Sequence, residues 1–328
     1  MQINSNSLEN KNNLLAFSAG VDSTALFFLL LKQNIPFDIA IVNNNQRDQS
    51  NEEIIYAQEL AFQYDKKCHI KTVQLSSSNF EKNARDIRYT FFEELILEYN
   101  YENLITAHQL NDRLEWFLMQ FSKGAGLVEL AGLKEFTHKN SYDVIRPILD
   151  YSKDELIDFL QINNIKYFVD ESNFDDIYKR NYFRKNFSNR LLSEFQSGIK
   201  KSFSYINRDL KSLNIQDNAI VAIDELEIFK SNNDENINIR IIDKSLKKRG
   251  YILSSAQREE ILKQKEIVID DFSISLYKDY IWVTPNCQTI MDKKFKELCR
   301  VNKIPKKNRA YLKKHSINIK RILEKLVF

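Results

Sequence analysis

Cysteine, proline and glycine are scarce in this chain of 328 residues, with only three, four and six of each. Cys68, Cys287 and Cys299 are odd in number, far apart and never spaced as a close pair, so neither a disulfide framework nor a zinc ribbon is encoded. A reducing cytosol suits them. The few glycines and prolines exclude a collagen, a linker protein and a low-complexity chain. Long hydrophobic runs are missing too. The longest, Ala25 to Leu31, falls far short of the roughly 20 residues of a membrane span. The polar, asparagine-rich start MQINSNSLENKNN has no apolar centre for a secretory signal. A cytoplasmic protein without a membrane partner is expected.

What is present is a packed, globular composition, 43% hydrophobic and 28% charged, in a chain long enough for two or three domains. The net charge of +3 hides an asymmetry. From Met291 to Phe328 thirteen lysines and arginines face only Asp292, Glu297 and Glu324, and from Lys179 to Lys211 nine face only Glu194 and Asp209. Two separated basic zones suggest a polyanion, although lysine-rich helical faces are often only solvated surface.

The first half alternates strand and helix. Apolar runs at Asn13 to Phe17, Phe37 to Val42, His69 to Leu75, Leu104 to Thr106 and Val144 to Ile148 read as strands. Helical patterns at Thr24 to Gln33, Asn51 to Tyr64, Asn83 to Tyr99 and Leu110 to Phe121 lie between them. This is an open, mostly parallel, doubly wound α/β sheet, whose ligands bind at the carboxyl ends of strands. After Asp170 the sequence turns basic and helical, with Leu213 to Lys263 reading as helices without a clear strand. From Glu266 to Val283 short β-like runs return, and Met291 onward is helical with a break at Pro305. The expected domains are therefore 1–200, a helical 201–264 and a small basic α+β region at 265–328.

At the end of the first strand, Ser18, Ala19, Gly20, Val21, Asp22 and Ser23 place small residues, a glycine and two hydroxyls where the chain enters a helix. Free amides and the positive end of the helix dipole make an anion cradle there, and Asp22 is a candidate magnesium ligand. An ordinary helix cap is the plainer alternative. No lysine follows the glycine, so this is not the Gly-Lys-Ser/Thr loop of the common NTPases.

Ser18 to Ser23 resembles the SGGxDS signature of the PP-loop ATP pyrophosphatases, which cleave ATP between its α and β phosphates and adenylate a substrate oxygen. Ala19 replaces a glycine, so it is expected to keep negative φ while Gly20 supplies any positive-φ turn. Asn83 to Phe92 resembles the ARxxRYxFF helix of the tRNA(Ile)-lysidine synthetase family, and Thr106 to Glu115 its TAHHxDDQxE segment. Lys123 to Gly126, Arg146 to Leu149, Asp170 to Asn173, and Arg180, Asn181 and Arg184 are similar to further elements of that family. The likeness covers about residues 14 to 190. It departs within Ile41 to Arg47, where both histidines of the family's HVNHGLR segment are lost, at Gln109, Asn111 and Arg113, and at Lys123, which stands for an arginine.

The resemblance implies a Rossmann-like PP-loop fold and an ATP-dependent ligase. Such a ligase adenylates the wobble cytidine of tRNA(Ile) bearing a CAU anticodon and attaches free L-lysine, with Mg2+ as cofactor. Implied catalytic residues are Asp22, Asp112, Lys123 and Arg184, with Asp22 on the metal. Nucleotide contacts fall on Ser18, Ala19, Gly20, Val21, Asp22, Ser23, His108, Gly124 and Gly126. Lysine or tRNA contacts fall on Arg85, Arg88, Asp112, Glu115, Arg146, Asp170, Arg180 and Asn181. Asp112 and Glu115 lie three apart, hence on one helix face, and Asp112 is the expected main contact of the lysine ammonium. The alternatives are a solvated acidic face for this pair and pairing of Arg85 and Arg88 with Glu93 or Glu94. For the whole chain they are a tRNA thiolase, which the cysteine spacing disfavours, and a non-catalytic RNA-binding protein. A homodimer is left open.

Overall fold

The structure, a computed structural model, describes residues 1–43, 49–73, 80–139, 141–169, 179–213 and 218–326. They form two compact units, Met1–Ser212 and Leu213–Phe328. In the first, strands β1 (Asn13–Ala16), β2 (Asp38–Asn43), β3 (Cys68–Thr72), β4 (Asn103–Ile105), β5 (Phe136–His138) and β6 (Asp143–Ile145) form a six-stranded sheet of order β3-β2-β1-β4-β6-β5. All neighbours are parallel except the β5–β6 pair. The helices are α1 (Val21–Lys32), α2 (Gln49–Gln63), α3 (Phe80–Tyr99), α4 (Leu110–Phe121), α5 (Leu127–Ala131), α6 (Lys153–Ile162), α7 (Lys179–Phe183) and α8 (Asn189–Ser212), with a π-helical turn at Arg184–Ser188.

Alternation along the strands fills both faces. Leu15, Ile39, Ile41 and Ile105 pack with Phe27 and Leu30 of α1 and Leu156 and Leu160 of α6. Their neighbours Leu14, Ala40, Leu104 and Val144 pack with Phe91, Phe92, Leu95 and Ile96 of α3 on the other face. The expected doubly wound sheet is present. Helix α1 starts three residues earlier than expected, so Asp22 and Ser23 lie in its first turn rather than in the loop.

The second unit departs from the expected partition. Between residues 213 and 263 lie two strands, β7 (Val221–Ile223) and β8 (Leu226–Lys230), as well as α9 (Glu235–Lys248) and α10 (Ser255–Gln264). Their partners β9 (Glu266–Ile269), β10 (Phe272–Tyr277) and β11 (Tyr280–Pro285) follow, and all five make one sheet of order β7-β8-β11-β10-β9. A boundary at 264 would cut this sheet. Leu226, Ile228, Tyr280 and Trp282 face α11 (Lys293–Val301), α12 (Arg309–Lys314) and α13 (Ile319–Leu323). Phe229, Ile281 and Val283 face α9 and α10. Thus 213–328 is one α+β body around a sheet covered on both sides.

Candidate active site

The sheet order places β1 between strands that continue outward in opposite directions, so the carboxyl ends of β1 and β4 flank the switch point. Ligands of open α/β sheets bind there. The loop leaving β1 is tied internally: the Ser18 amide donates to Ser23 Oγ at 3.2 Å, and the two serine hydroxyls lie 3.1 Å apart. Gly20 is the N-cap of α1 and offers no side-chain cap, so the first amides of the helix are left for an anion.

The loop inverts the conformational expectation. Ala19, fully buried, has φ of +57°, whereas Gly20 has φ of −75° and ψ of 173°. The Ala19 carbonyl accepts the amide of the distant Phe168 at 3.0 Å. An alanine in the left-handed region costs about 1 kcal/mol, which the surrounding contacts must offset.

Asp22 carries the clearest sign of a missing partner. Its Oδ1 is buried without a hydrogen bond. Burial first, and the nearby Asp112 carboxylate second, push its pKa up to about 7, against the pull of Lys153 and Arg184. A hard divalent cation fits this orphan oxygen. Among the described residues no three His, Cys, Asp or Glu side chains gather into a cage, so substrate phosphates would supply further ligands, the usual arrangement for magnesium.

From β4 the chain presents His108, whose Nδ1 lies 3.0 Å from Thr106 Oγ1. Burial and the cations Arg146, Arg180 and Arg85 push its pKa down to about 4 despite Asp112, so it is a neutral imidazole at pH 7. Next comes the start of α4, capped by Gln109. Asn111 N–H donates to Gln109 Oε1 at 2.5 Å, and the Gln109 amide donates to Asp112 Oδ2 at 3.1 Å. Asp112 thus anchors its own helix end while its Oδ1 accepts from Arg180 Nη2 at 2.5 Å.

One turn on, Glu115 is wholly inaccessible at 0% exposure, which excludes a solvated acidic face. Arg180 Nε donates to Glu115 Oε2 at 2.8 Å and Arg184 Nε to Oε1 at 2.7 Å. Burial works against ionisation of Asp112, yet Arg180 and His108 beside it hold its carboxyl below the usual range. The result is a network of two buried carboxylates and two partly exposed guanidiniums, facing Asp22.

Other expected residues are distributed unevenly. Arg85 lies 4.9 Å over the Tyr89 ring, while Glu94 pairs with Lys71 at 2.8 Å and Glu93 accepts the Tyr142 hydroxyl at 3.0 Å. Desolvation and the Arg85 charge push Arg88 below its usual value, so these two arginines crowd one another, and Arg85 also acts on His108. Arg146 is buried, and its Nη1 donates to the Lys134 carbonyl at 2.8 Å and Thr137 Oγ1 at 3.0 Å. It braces the β5–β6 hairpin while adding charge beside His108. Asn181 follows Arg180 on α7. Asp170 lies outside the described residues.

Lys123, Gly124 and Gly126 are not brought to the cluster. They follow the far end of α4, and the nine steps from Asp112 to Phe121 along it rise roughly 13 Å; Lys123 is exposed. Gly124 instead turns the chain at φ of +75° and Gly126 caps α5. Sequence reading also missed Lys153, which faces Asp22; its only local signal is its place just after Ser152, the cap of α6.

The residues that depart from the resembled pattern have structural work. Asn111 Oδ1 accepts the Lys153 amide at 3.1 Å, and buried Arg113 pairs with Asp150 at 3.0 Å and lies 4.2 Å over the Phe203 ring. Together with the Gln109 cap, whose amide also holds Asp112 Oδ2, they fix the start of α4.

Fold and site define a nucleotide-using α/β protein with an anion loop at the switch point, and a family model described as a PP-loop domain matches residues 1–191. The chain is 45% identical to the tRNA(Ile)-lysidine synthase of Campylobacter jejuni strain RM1221, covering 95% of both proteins. To that of Helicobacter pylori strain 26695 it is 41% identical, covering 93% of this chain and 90% of the relative. Among solved structures, the U34-tRNA thiolase NcsA from Methanococcus maripaludis shares the fold, with a TM-score of 0.51 and 18% identity over 60% of this chain and 72% of that one. The chain belongs to the tRNA(Ile)-lysidine synthase family and is an ATP-dependent ligase that modifies tRNA.

Proposed function

We propose that this site adenylates the C2 oxygen of the wobble cytidine of a CAU-anticodon tRNA(Ile) and then presents the activated carbon to the ε-amine of free L-lysine. Pyrophosphate leaves in the first step and AMP in the second. The observation that carries the reading is the buried Asp112–Glu115 pair facing an Asp22 oxygen without a partner, beside an uncapped helix start.

The amides of Val21, Asp22 and Ser23 and the Ser18 and Ser23 hydroxyls would hold the phosphates. Asp22 would hold a magnesium ion, which would supply neutralisation of negative charge on the phosphate oxygens. Arg85, Arg88 and Arg180 would add positive charge around the nucleotide and the tRNA backbone, while neutral His108 would act as a hydrogen-bonding group rather than a cation. Asp112 and Glu115, kept near Arg180 and Arg184, would receive the lysine ammonium, with Arg180 as the more exposed partner that yields. The amine must lose a proton before attack, and these carboxylates are the acceptors within reach.

Exposed lysines of the second unit, among them Lys293, Lys294, Lys296, Lys306 and Lys307, would hold the tRNA body through its phosphates. No helix among the described residues is long and apolar enough to cross a membrane. Thiolation is disfavoured because Cys299 is buried in the core of the second unit and burial pushes the Cys68 thiol up to about 11.

The test is incorporation of labelled lysine into unmodified tRNA(Ile) with ATP and magnesium, followed by mild alkali to strip aminoacyl esters. Alkali-stable, ATP-dependent label is the expected result; bound tRNA without label overturns the reading.

A further inference from the structure

Ala19 holds a left-handed conformation that costs an alanine about 1 kcal/mol, and one short segment is tied to it. Phe168 donates its amide to the Ala19 carbonyl at 3.0 Å, and Gly20 and Phe168 form a parallel bridge that belongs to no strand. An isolated bridge has no ladder to hold it, so the segment needs its own anchor. Tyr56 of α2 supplies it. Its hydroxyl donates to the Lys166 carbonyl at 2.6 Å, its ring meets the Phe168 ring at 5.7 Å, and Lys166 Nζ lies 4.8 Å over Phe168 and 5.6 Å over Tyr56. Tyr56, Phe168 and Ala19 are all buried in one cluster with Val21.

We propose that Tyr56 is a positioning residue for the nucleotide loop. Through Lys166 and Phe168 it clamps Ala19 in its left-handed state and so aims the amides at the start of α1. The inference rests on the reading that this loop holds ATP phosphates. The clamp does what a glycine at position 19 would do without help, since glycine enters that conformation freely. Burial pushes the Tyr56 phenol up to about 12, which keeps it a donor across the working pH range.

The experiment is a double-mutant cycle in the full-length protein, read by calorimetric ATP binding, by KM for ATP and for lysine, and by thermal midpoint. Tyr56→Phe keeps the ring and removes the anchor. It should weaken ATP binding about fivefold, the size of one hydrogen bond, with the KM for lysine and the kcat little changed. Adding Ala19→Gly should return ATP binding toward the parent value, because no strain is left to hold. Phe168→Leu, which keeps the backbone bond and removes the ring pairing, should weaken ATP binding in the same direction. Unchanged ATP binding in Tyr56→Phe overturns the clamp, as does a lowered midpoint with both KM values unchanged or a double variant as weak as Tyr56→Phe. A parent protein that binds no ATP overturns the phosphate reading itself and the clamp with it.

Discussion

Asp22 in the first unit and Asp243 in the second both have carboxyl oxygens withdrawn from solvent, yet they stand in opposite circumstances. Asp243 is matched by Lys247 at 2.6 Å, one turn along the same helix, and by Arg258 at 3.3 Å from the next. Asp22 has an oxygen with no partner and a raised pKa. A buried charge that its neighbours neutralise is part of the architecture; one left in deficit is prepared for something that arrives. The same contrast holds for the cations. In the first unit Arg180 and Arg184 turn inward onto Glu115, whereas lysines of α11 stay at the surface and leave the core of the second unit to Cys299, Ile304 and Leu312.

The sharpest way to break this comparison is to remove the unmatched group. Asp22→Ala should lower pyrophosphate release at least about 100-fold while tRNA affinity, followed by filter binding, persists; retained release would take the metal role from this residue. Removing a matched group should act on the fold as well as on the site. Glu115→Gln removes the charge that two partly exposed guanidiniums share and should destabilise the first unit by about 2 kcal/mol, seen in urea unfolding, while raising the KM for lysine.

The two units should also differ in salt dependence. Lys293→Ala with Lys296→Ala should weaken tRNA binding and flatten its dependence on log salt by about one unit for each phosphate no longer neutralised, with ATP binding unaffected. Deleting residues 291–328 would be a poor substitute, because Tyr311, Leu312 and Ile322 complete the core under the second sheet.

A subtler effect concerns pH. Folding lifts the Asp22 carboxyl from its ordinary 3.8 to about 7, so the folded state binds the proton more tightly. That contribution is complete below pH 4 and fades as the pH rises to 7. The thermal midpoint of Asp22→Asn relative to the parent should therefore rise across this window; a flat difference would remove the raised value.

The parallel sheet was legible because its strands are apolar runs separated by helical periods, and the anion loop because small residues cluster where β1 ends. Two things were not. The three residues of β7 are too few to show a period, and both faces of its sheet are covered, so Val221 to Lys230 resembles buried helix as readily as strand. The pairing of Asp112 and Glu115 with Arg180 and Arg184 joins residues more than 60 positions apart, and no local spacing announces it. Ala19 shows the same limit at one residue: its carbonyl is tied to Phe168, from the far side of the unit's sequence.

The rebuilt start of α4 bears on how relatives of this enzyme are recognised. Here Gln109 caps the helix and Asn111 and Arg113 brace it, while Asp112 and Glu115 form the acidic pair. A pattern that insists on histidine and a second acid at those positions would discard such chains as decayed. A search keyed to two acids one turn apart, answered by two arginines four apart much later in the chain, would retain them.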